Sequence, residues 1–482
     1  MLQEFIDIET SQKEARYALP PCLDHGSEIH FATLSPIEKG YFLGVEGGPI
    51  VREGMNELYE CLRANDEKRI SNWFDTYGPQ TRKNKQKILR SLPLNLPLSC
   101  INYIQNVNYD YFDELKKQYK FYLAGESSFG YSIANSTNDI SEKKESTVLF
   151  SIGGIHSLGI GNPEDDLDVS IGKLKNRIRQ IKGEEPLEDV NLKKWAHPPL
   201  FMRLANHFGN GLFGHARSLS EDTQTILDQK KHLDKGVIKT CGYDVACELL
   251  GLDESLQPTG SRRILIDMQH LSAASRNDLY QKIFRKFNKN INPHHPIPVV
   301  FTEAAYSGVD FLGEMIKNVR DKSESDNFRI QGYYGGSINL SDEDVLEVFW
   351  SQGFISLSLE NWKLGNPSGG LENFFITNAR TRTLKLLSRQ IAGLVSIPFA
   401  YNLPSPLTIW DYINIGSGLT GSDVRMDRYR SENFMHILEQ DLEEVLVRLK
   451  REEPVWFGSY RPEALVKKIC HDNVKEFVLK NF

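Results

Sequence analysis

The segment Ile264-Leu265-Ile266-Asp267-Met268-Gln269-His270-Leu271-Ser272 stands out from the rest of the chain. Its mostly apolar start, followed by a polar trio, is typical of a strand buried on both faces of a parallel sheet. The helical pattern from Ala273 to Phe287 predicts a helix with Ser272 as its N-cap. His270 would then lie at the carboxyl end of the strand, where parallel barrels carry their chemistry. Taken alone, the segment favours a simpler interpretation, in which His270 only hydrogen-bonds the end of the strand.

Strands and helices alternate on both sides of this segment. Further strands are predicted at Glu4–Glu9, Leu98–Val107, Thr147–Ile152, Pro198–Ala205, Ile297–Phe301, Phe354–Leu359 and Trp410–Ile415. Helices are predicted at Met55–Phe74, Asp110–Tyr122, Val237–Leu250, Asp342–Ser351 (with Ser341 as cap), Leu371–Leu394, Glu432–Arg451 and Pro462–Phe482. About eight strands in this rhythm predict an α/β protein, a single (β/α)8 TIM barrel spanning residues 1–482.

The N-terminal third fits this rhythm least. Residues 10–146 are predicted to form a long insertion after the first strand, as a lid, an interface or a small subdomain. Within it, Thr10–Pro36 is predicted to be a loop and Asn135–Ser146 a polar surface loop. At the other end, residues 432–482 are predicted to be helices that close the barrel.

The composition excludes several classes of protein. The 57 basic and 64 acidic residues give a net charge of −7, which does not favour nucleic acid as a partner. No apolar run reaches the roughly 18 residues that a membrane span needs, and the first residues do not resemble a signal peptide. The six cysteines include no Cys-x-x-Cys pair, so neither a disulfide framework nor a zinc knuckle is indicated. A cytoplasmic location is expected.

Several segments together resemble the membrane-dipeptidase-like metallohydrolases (peptidase family M19). This family consists of amidohydrolase-type TIM barrels that hold two zinc ions. Ile266–Ser272 with Arg276 is similar to the family's Asp-x-x-His-x-Ser segment, and Ser151–His156 to its Ser-Ile-Glu-Gly-x-His strand end. The other similar segments are Arg203–Ala216, Tyr412–Gly421 and the C-terminal segment from Tyr460 to Asn473. The resemblance covers nearly everything from Thr147 onward and implies a dipeptidase-like barrel.

The metal-binding positions that the resemblance implies are largely changed. The bridging glutamate falls on Gly153, and the histidine that ends the fourth strand falls on Asn206. The histidine after the sixth strand falls on Glu303, and the aspartate that handles the proton of the attacking water falls on Gly418. His270 is retained. The first strand's metal-binding pair falls in the segment 7–11, which contains no histidine.

A two-zinc site needs a bridging carboxylate, several imidazoles and a base for the water proton. Losing the bridge and the base together predicts a metal-free pseudoenzyme that acts as a binding or scaffold protein. A small molecule or peptide would bind in the barrel mouth, near Arg276, His156 and His270. The resemblance implies that Arg276 contacts the carboxylate of a substrate. An equal alternative is that Arg276 is an exposed residue in the first turn of the helix after the strand. The resemblance also implies a homodimer.

Two enzymatic alternatives remain open at this stage. A metal-dependent hydrolase could gather Glu9, His207, His270 and Glu303 around one zinc ion. Metal-independent chemistry could use His270 as a general acid or base, but the chain has no Gly-x-Ser-x-Gly nucleophile elbow. For His156 and His215, hydrogen bonds to the loop backbone are predicted rather than metal binding.

Overall fold

The computed structural model describes residues 29–34, 111–129, 131–142, 146–159, 167–189, 192–206, 209–218, 230–321, 329–330, 332–365, 379–416, 426–429 and 434–482. The strand predicted at Glu4–Glu9, the helix predicted at Met55–Phe74 and most of the predicted insertion 10–146 lie outside the described residues. Among the described residues, no helix has the length and apolar character needed to cross a membrane.

The described strands form one parallel sheet and a small antiparallel pair. They are β1 Ile29–Leu34, β2 Tyr131–Ile133, β3 Ser146–Ile152, β4 Phe201–Arg203, β5 Leu265–Asp267, β6 Val300–Ala304, β7 Arg329–Ile330, β8 Tyr333–Tyr334, β9 Phe354–Ser358 and β10 Ile413–Gly416. The parallel sheet has the order β1-β3-β4-β5-β6-β9-β10, and β2 also pairs with β3. The antiparallel pair is β7 with β8. The predicted α/β class with a parallel sheet is confirmed.

Helices connect successive strands, as parallel pairing requires. They are α1 Tyr111–Phe129, α2 Thr137–Glu142, α3 Leu167–Ile181, α4 Cys241–Leu250, α5 Ala273–Leu279, α6 Leu312–Asp321, α7 Asp342–Ser351, α8 Asn361–Leu364, α9 Ala379–Ala400, α10 Phe434–Glu452, α11 Pro462–Lys467 and α12 Asn473–Asn481. Short π-helical segments continue α5 and join α11 to α12.

The sheet is curled around its inner face. Phe201 begins β4 and Phe354 begins β9, yet their ring centroids are only 6.1 Å apart. In a flat sheet, the three strand spacings between them would put these residues roughly 14 Å apart. Phe477 of α12 packs against both rings, at 6.1 and 5.0 Å. The C-terminal helix therefore fills the end of the sheet where the strands begin and leaves their carboxyl ends to carry the polar groups.

Two predicted helix caps are confirmed. The Ser272 hydroxyl accepts a hydrogen bond from the Ser275 N–H at 3.0 Å. The Ser341 hydroxyl accepts one from the Asp344 N–H at 3.2 Å, and the Asp344 carboxylate accepts the Ser341 N–H at 2.9 Å. This reciprocal capping box begins α7, whose predicted bounds agree with the structure.

Replacing Ser341 with alanine is expected to lower the free energy of unfolding by about 1 kcal/mol, because the first turn of α7 loses its cap. Urea denaturation of the wild type and the variant measures the difference. Ser341→Thr is the control, because its hydroxyl can accept the same N–H. An unchanged stability for Ser341→Ala would contradict the role of the cap.

Three wrong predictions about the elements have an identifiable physical reason. Ile29–Leu34 lies within the predicted loop Thr10–Pro36 but forms β1, paired with β3 from Thr147 to Ile152. A strand of six residues is specified mainly by its partner, which a local pattern does not reveal. The predicted surface loop Asn135–Ser146 contains α2, whose start is held by Asp139, which accepts N–H bonds from residues 135 and 136. The sixth strand begins at residue 300 rather than 297, because Pro298 lacks the N–H that the ladder needs.

Candidate functional site

A hydrogen-bonded group joins the carboxyl ends of β4, β5 and β6. Asp267 is the register partner of Arg203 and accepts a bond from its Nε at 2.9 Å. The same carboxylate accepts the Thr302 hydroxyl at 2.5 Å, the Thr302 N–H at 3.1 Å and the Gln269 N–H at 3.1 Å. Arg203 also donates from Nη2 to the Thr302 hydroxyl at 2.9 Å. With four bonds and 2% of its side-chain surface exposed, Asp267 anchors this group.

A β-bulge in β6 brings a second acidic residue to the same place. Phe301 pairs with Ile355 and Ala304 with Leu357, so β6 has one residue more than β9 over this span. In a regular strand, neighbouring side chains point to opposite faces, and a bulge re-aims one of them. Thr302 and Glu303 therefore both approach Arg203. The Oε2 atom of Glu303 lies 3.7 Å from the Nη2 atom of Arg203.

A second cation completes what we call the strand-end cluster: Arg203, Lys363, Asp267, Glu303 and Glu360. The ammonium of Lys363, on α8, lies 3.1 Å from Glu360 Oε2 and 3.8 Å from Glu303 Oε2. Two cations and three carboxylates leave a formal charge of −1. The exposed side-chain fractions are 12% for Arg203, 24% for Glu303 and 13% for Glu360, so solvent reaches the cluster at these residues.

The charge of Arg203 is secured by its neighbours. Burial lowers the pKa of its guanidinium, but the negative charges of Glu303 and Asp267 outweigh burial, so that the pKa is raised above its ordinary value. The cluster therefore holds this positive charge at every physiological pH, at the strand ends where the resemblance places metal ions.

The described residues do not fit a two-zinc site. Gly153 has no side chain, Asn206 offers an amide, and Glu303 already faces two cations. Among the residues that the structure describes, no three His, Cys, Asp or Glu side chains form a group that could hold a metal ion. The predicted positions Glu9, His207 and Gly418 lie outside the described residues, so the ligand set of Glu9, His207, His270 and Glu303 stays a prediction.

His270 lies just beyond β5, as predicted. Its φ of 67° is in the left-handed region, which a residue with a Cβ adopts at an energetic cost. Its carbonyl oxygen accepts the Ala216 N–H at 2.8 Å, and its side chain is buried. The same loop is held by His215, whose ring nitrogens Nδ1 and Nε2 lie 3.1 and 3.0 Å from the carbonyl oxygens of Ala216 and Lys231, so that a protonated nitrogen donates to the carbonyl it faces. The predicted backbone role of His215 is confirmed.

His156 follows β3 in a short 3-10 helix, Ile155–Leu158. Its ring stands edge-on to Tyr111, with ring centroids 5.4 Å apart. A Cβ on Gly154 would overlap the imidazole, so only glycine leaves the ring this position. Burial lowers the pKa of His156 to about 3, and the imidazole is therefore neutral at physiological pH.

Stability is expected to fall in acid because of His156. In the unfolded chain, this residue has a pKa of about 6.5 and binds a proton below that pH. The folded protein binds a proton there only near pH 3. Between pH 7 and pH 5, the loss due to His156 is about 2 kcal/mol. Urea denaturation at pH 7 and pH 5 should show a smaller pH difference for His156→Gln than for the wild type. An equal difference in both proteins would contradict the buried neutral imidazole.

Arg276 is fully buried in the structure. Its Nε and Nη2 donate to the two oxygens of Asp344 at 3.0 and 3.1 Å. Nη1 donates to the carbonyl oxygens of Leu271 and Ser337 at 2.9 and 2.6 Å, and Nη2 also donates to that of Asn339 at 3.0 Å. All five N–H groups are therefore used inside the protein. The alternative of an exposed helix residue is wrong, and the predicted ligand contact has no spare N–H available.

A shallow cleft lies away from the strand ends. It is lined by Arg179, Glu184, Glu248, Gly251, Leu252, Thr259 and Ser261, in the connections that lead into the beginnings of the strands. Beside it, Lys182 donates to the Glu248 carbonyl oxygen at 2.5 Å and to the Ser261 hydroxyl at 2.9 Å. Burial lowers the pKa of Lys182 to about 8. These bonds hold the carboxyl end of α4 in place, which is a structural role.

No protein-family model and no curated protein matches the chain. Among solved structures, it is similar to dipeptidase AC, a metallopeptidase of family M19, at 12% identity and a TM-score of 0.41, with 80% of this chain and 78% of that one covered. It is also similar to a metallopeptidase from Rhodobacter sphaeroides, solved with a phosphinate mimic of the dipeptide L-Ala-D-Ala, at 11% identity and a TM-score of 0.39, over 80% and 76% of the two chains.

An amidohydrolase from Pseudomonas aeruginosa is similar at 13% identity and a TM-score of 0.38, over 76% of this chain and 82% of the other. The three structures are thus described as a dipeptidase, a metallopeptidase and an amidohydrolase. At this level of likeness, they do not assign a role to any residue of this chain.

Sequence reasoning missed four members and neighbours of the strand-end cluster: Arg203, Thr302, Glu360 and Lys363. A signal existed for Arg203, because a single arginine interrupts the apolar segment Pro198–Ala205. A charge in an otherwise buried strand needs a partner, and Asp267 is that partner. Its four hydrogen bonds give Asp267 a structural role.

Proposed function

We propose that the chain is a dipeptidase-like (β/α)8 barrel that has lost the two-zinc site and binds a small molecule or peptide at the carboxyl ends of its strands without hydrolysing it. The observation that supports this most directly is the strand-end cluster, in which Arg203 and Lys363 supply positive charge next to Glu303. The proposal includes a closed barrel, since the described sheet is parallel, curled and sealed at the other end by α12.

Electrostatics argues against a metal ion at Glu303. Two unit charges about 4 Å apart near a protein surface repel each other by about 4 kcal/mol, and a divalent ion facing a unit charge by twice that. Arg203 and Lys363 both lie within 3.8 Å of the Glu303 carboxylate. A zinc ion on this carboxylate would face both cations, while Gly153 offers no ligand to compensate.

Hydrolysis assays test this proposal. Untagged protein is incubated with and without zinc and then mixed with L-Ala-D-Ala or L-Ala-L-Ala, and release of free alanine is measured. We expect no release above that of a buffer blank in either condition. Zinc-dependent release that is abolished by His270→Ala or Glu303→Gln would overturn the proposal in favour of the mononuclear hydrolase.

A further inference from the structure

The strand-end cluster has both a hydrogen-bond donor and a hydrogen-bond acceptor that no described residue uses. The Nη1 group of Arg203 donates to no acceptor among the described residues, because Arg203 reaches Asp267 through Nε and Thr302 through Nη2. Glu303 lies 3.7 and 3.8 Å from its two cations and accepts no hydrogen bond from a described residue. The guanidinium donor of Arg203 and the carboxylate acceptor of Glu303 are therefore neighbours, and both side chains are partly exposed.

A comparison with Arg276 shows that an available guanidinium N–H group distinguishes Arg203. Arg203 ends β4 and Arg276 lies in α5, and each pairs with a buried aspartate. Arg276 uses all five N–H groups inside the protein and is fully buried, whereas Arg203 keeps Nη1 and 12% of its side-chain surface available. Of these two, only Arg203 is able to receive a ligand.

Charge selects the class of ligand. A plain anion would approach a cluster whose formal charge is already −1, and a plain cation would face Arg203 and Lys363 next to Glu303. A ligand that carries both charges avoids both penalties, because its carboxylate meets Arg203 and its ammonium meets Glu303.

Resting on the proposed metal-free binding function, we propose that the cluster binds a small zwitterion of the α-amino acid type, in which the ammonium and carboxylate groups are attached to the same carbon. The neighbouring charges, 3.7 Å apart, match this short spacing. The carboxylate accepts hydrogen bonds from Nη1 of Arg203, and the ammonium donates to Glu303. Nearby, both side-chain amide atoms of Gln269 are buried and unbonded among the described residues, and such groups require a partner.

Calorimetric titration with three small probes tests this assignment. Glycine carries both charges, acetate carries only the carboxylate, and methylammonium carries only the ammonium. We expect glycine to bind about tenfold or more tightly than either single-charge probe, since it alone makes both charged contacts. Equal affinity for acetate would mean a plain anion site, and equal affinity for methylammonium a plain cation site. Either result overturns the proposal, as does an absence of glycine binding.

Substitutions identify the residues involved. Glu303→Gln is expected to weaken glycine binding about tenfold but not to weaken acetate binding, because the substitution removes only a negative charge. Glu254→Gln, the same change at an exposed residue away from the strand ends, is the matched control and should bind glycine like the wild type. Glycine affinity that does not change in Glu303→Gln, with folding verified by circular dichroism, would overturn the assignment.

Metal analysis of the same preparation separates the two proposals. A metal-free protein that does not bind glycine would refute the zwitterion site alone. A protein that takes up zinc would refute the metal-free function, whatever glycine does.

Discussion

Replacing Asp344 with alanine is expected to lower the free energy of unfolding by about 3–5 kcal/mol, because it leaves a buried arginine without its counter-ion. Arg276 and Asp344 have 1% and 0% of their side-chain surfaces exposed, and two parallel hydrogen bonds join them. The Tyr280 hydroxyl donates a third bond to the same carboxylate at 2.8 Å. Chemical denaturation measures the loss of stability, and thermal denaturation should show a large fall in the melting temperature.

An exposed ion pair provides the matched control. Arg448 and Glu452 lie one helical turn apart, with 60% and 50% of their side-chain surfaces exposed. Glu452→Ala should change stability by less than about 0.5 kcal/mol. If Asp344→Ala cost no more than this control, Arg276 would not have the structural role described here, and its predicted role as a ligand contact would regain support.

Replacing Asp267 with alanine is expected to cost a similar amount, about 3–5 kcal/mol, for a related reason. The Asp267 carboxylate accepts hydrogen bonds from Arg203, Thr302 and Gln269 and is 2% exposed. Its removal leaves the Arg203 guanidinium, of which 12% is exposed, without its main partner. Urea denaturation monitored by circular dichroism gives the change.

Glu303→Gln is the internal control for that experiment. It changes a carboxylate in the same cluster, but Glu303 is 24% exposed and lies 3.7 Å or more from its cations, so the expected loss is below about 1 kcal/mol. Equal losses for the two variants would contradict the distinction between Asp267 as the anchor of the cluster and Glu303 as its open acceptor.

Much of the fold could be predicted from local patterns. The apolar run before His270, the capping serines Ser272 and Ser341, and the alternation of strands with helices each follow from short-range rules, and the structure agrees with them. Ile29–Leu34 could not be recognised in the same way, because its identity as a strand depends on pairing with β3, which is distant in sequence.

The candidate site was harder to predict. Its chemistry depends on a bulge that turns Glu303 toward Arg203 and on a lysine delivered by α8, and neither feature has a local sequence signature. Resemblance to a family directed attention to Arg276, whose donors are all used internally. The arginine with an available edge is Arg203, at a position for which no binding role was predicted.

Elemental analysis of untagged protein, before and after incubation with zinc, tests the central claim most directly. A metal-free site predicts less than about a tenth of an equivalent of zinc in both samples, because Arg203 and Lys363 supply the positive charge at the strand ends. One tightly held equivalent that disappears in the double variant His270→Ala, Glu303→Ala would contradict the claim.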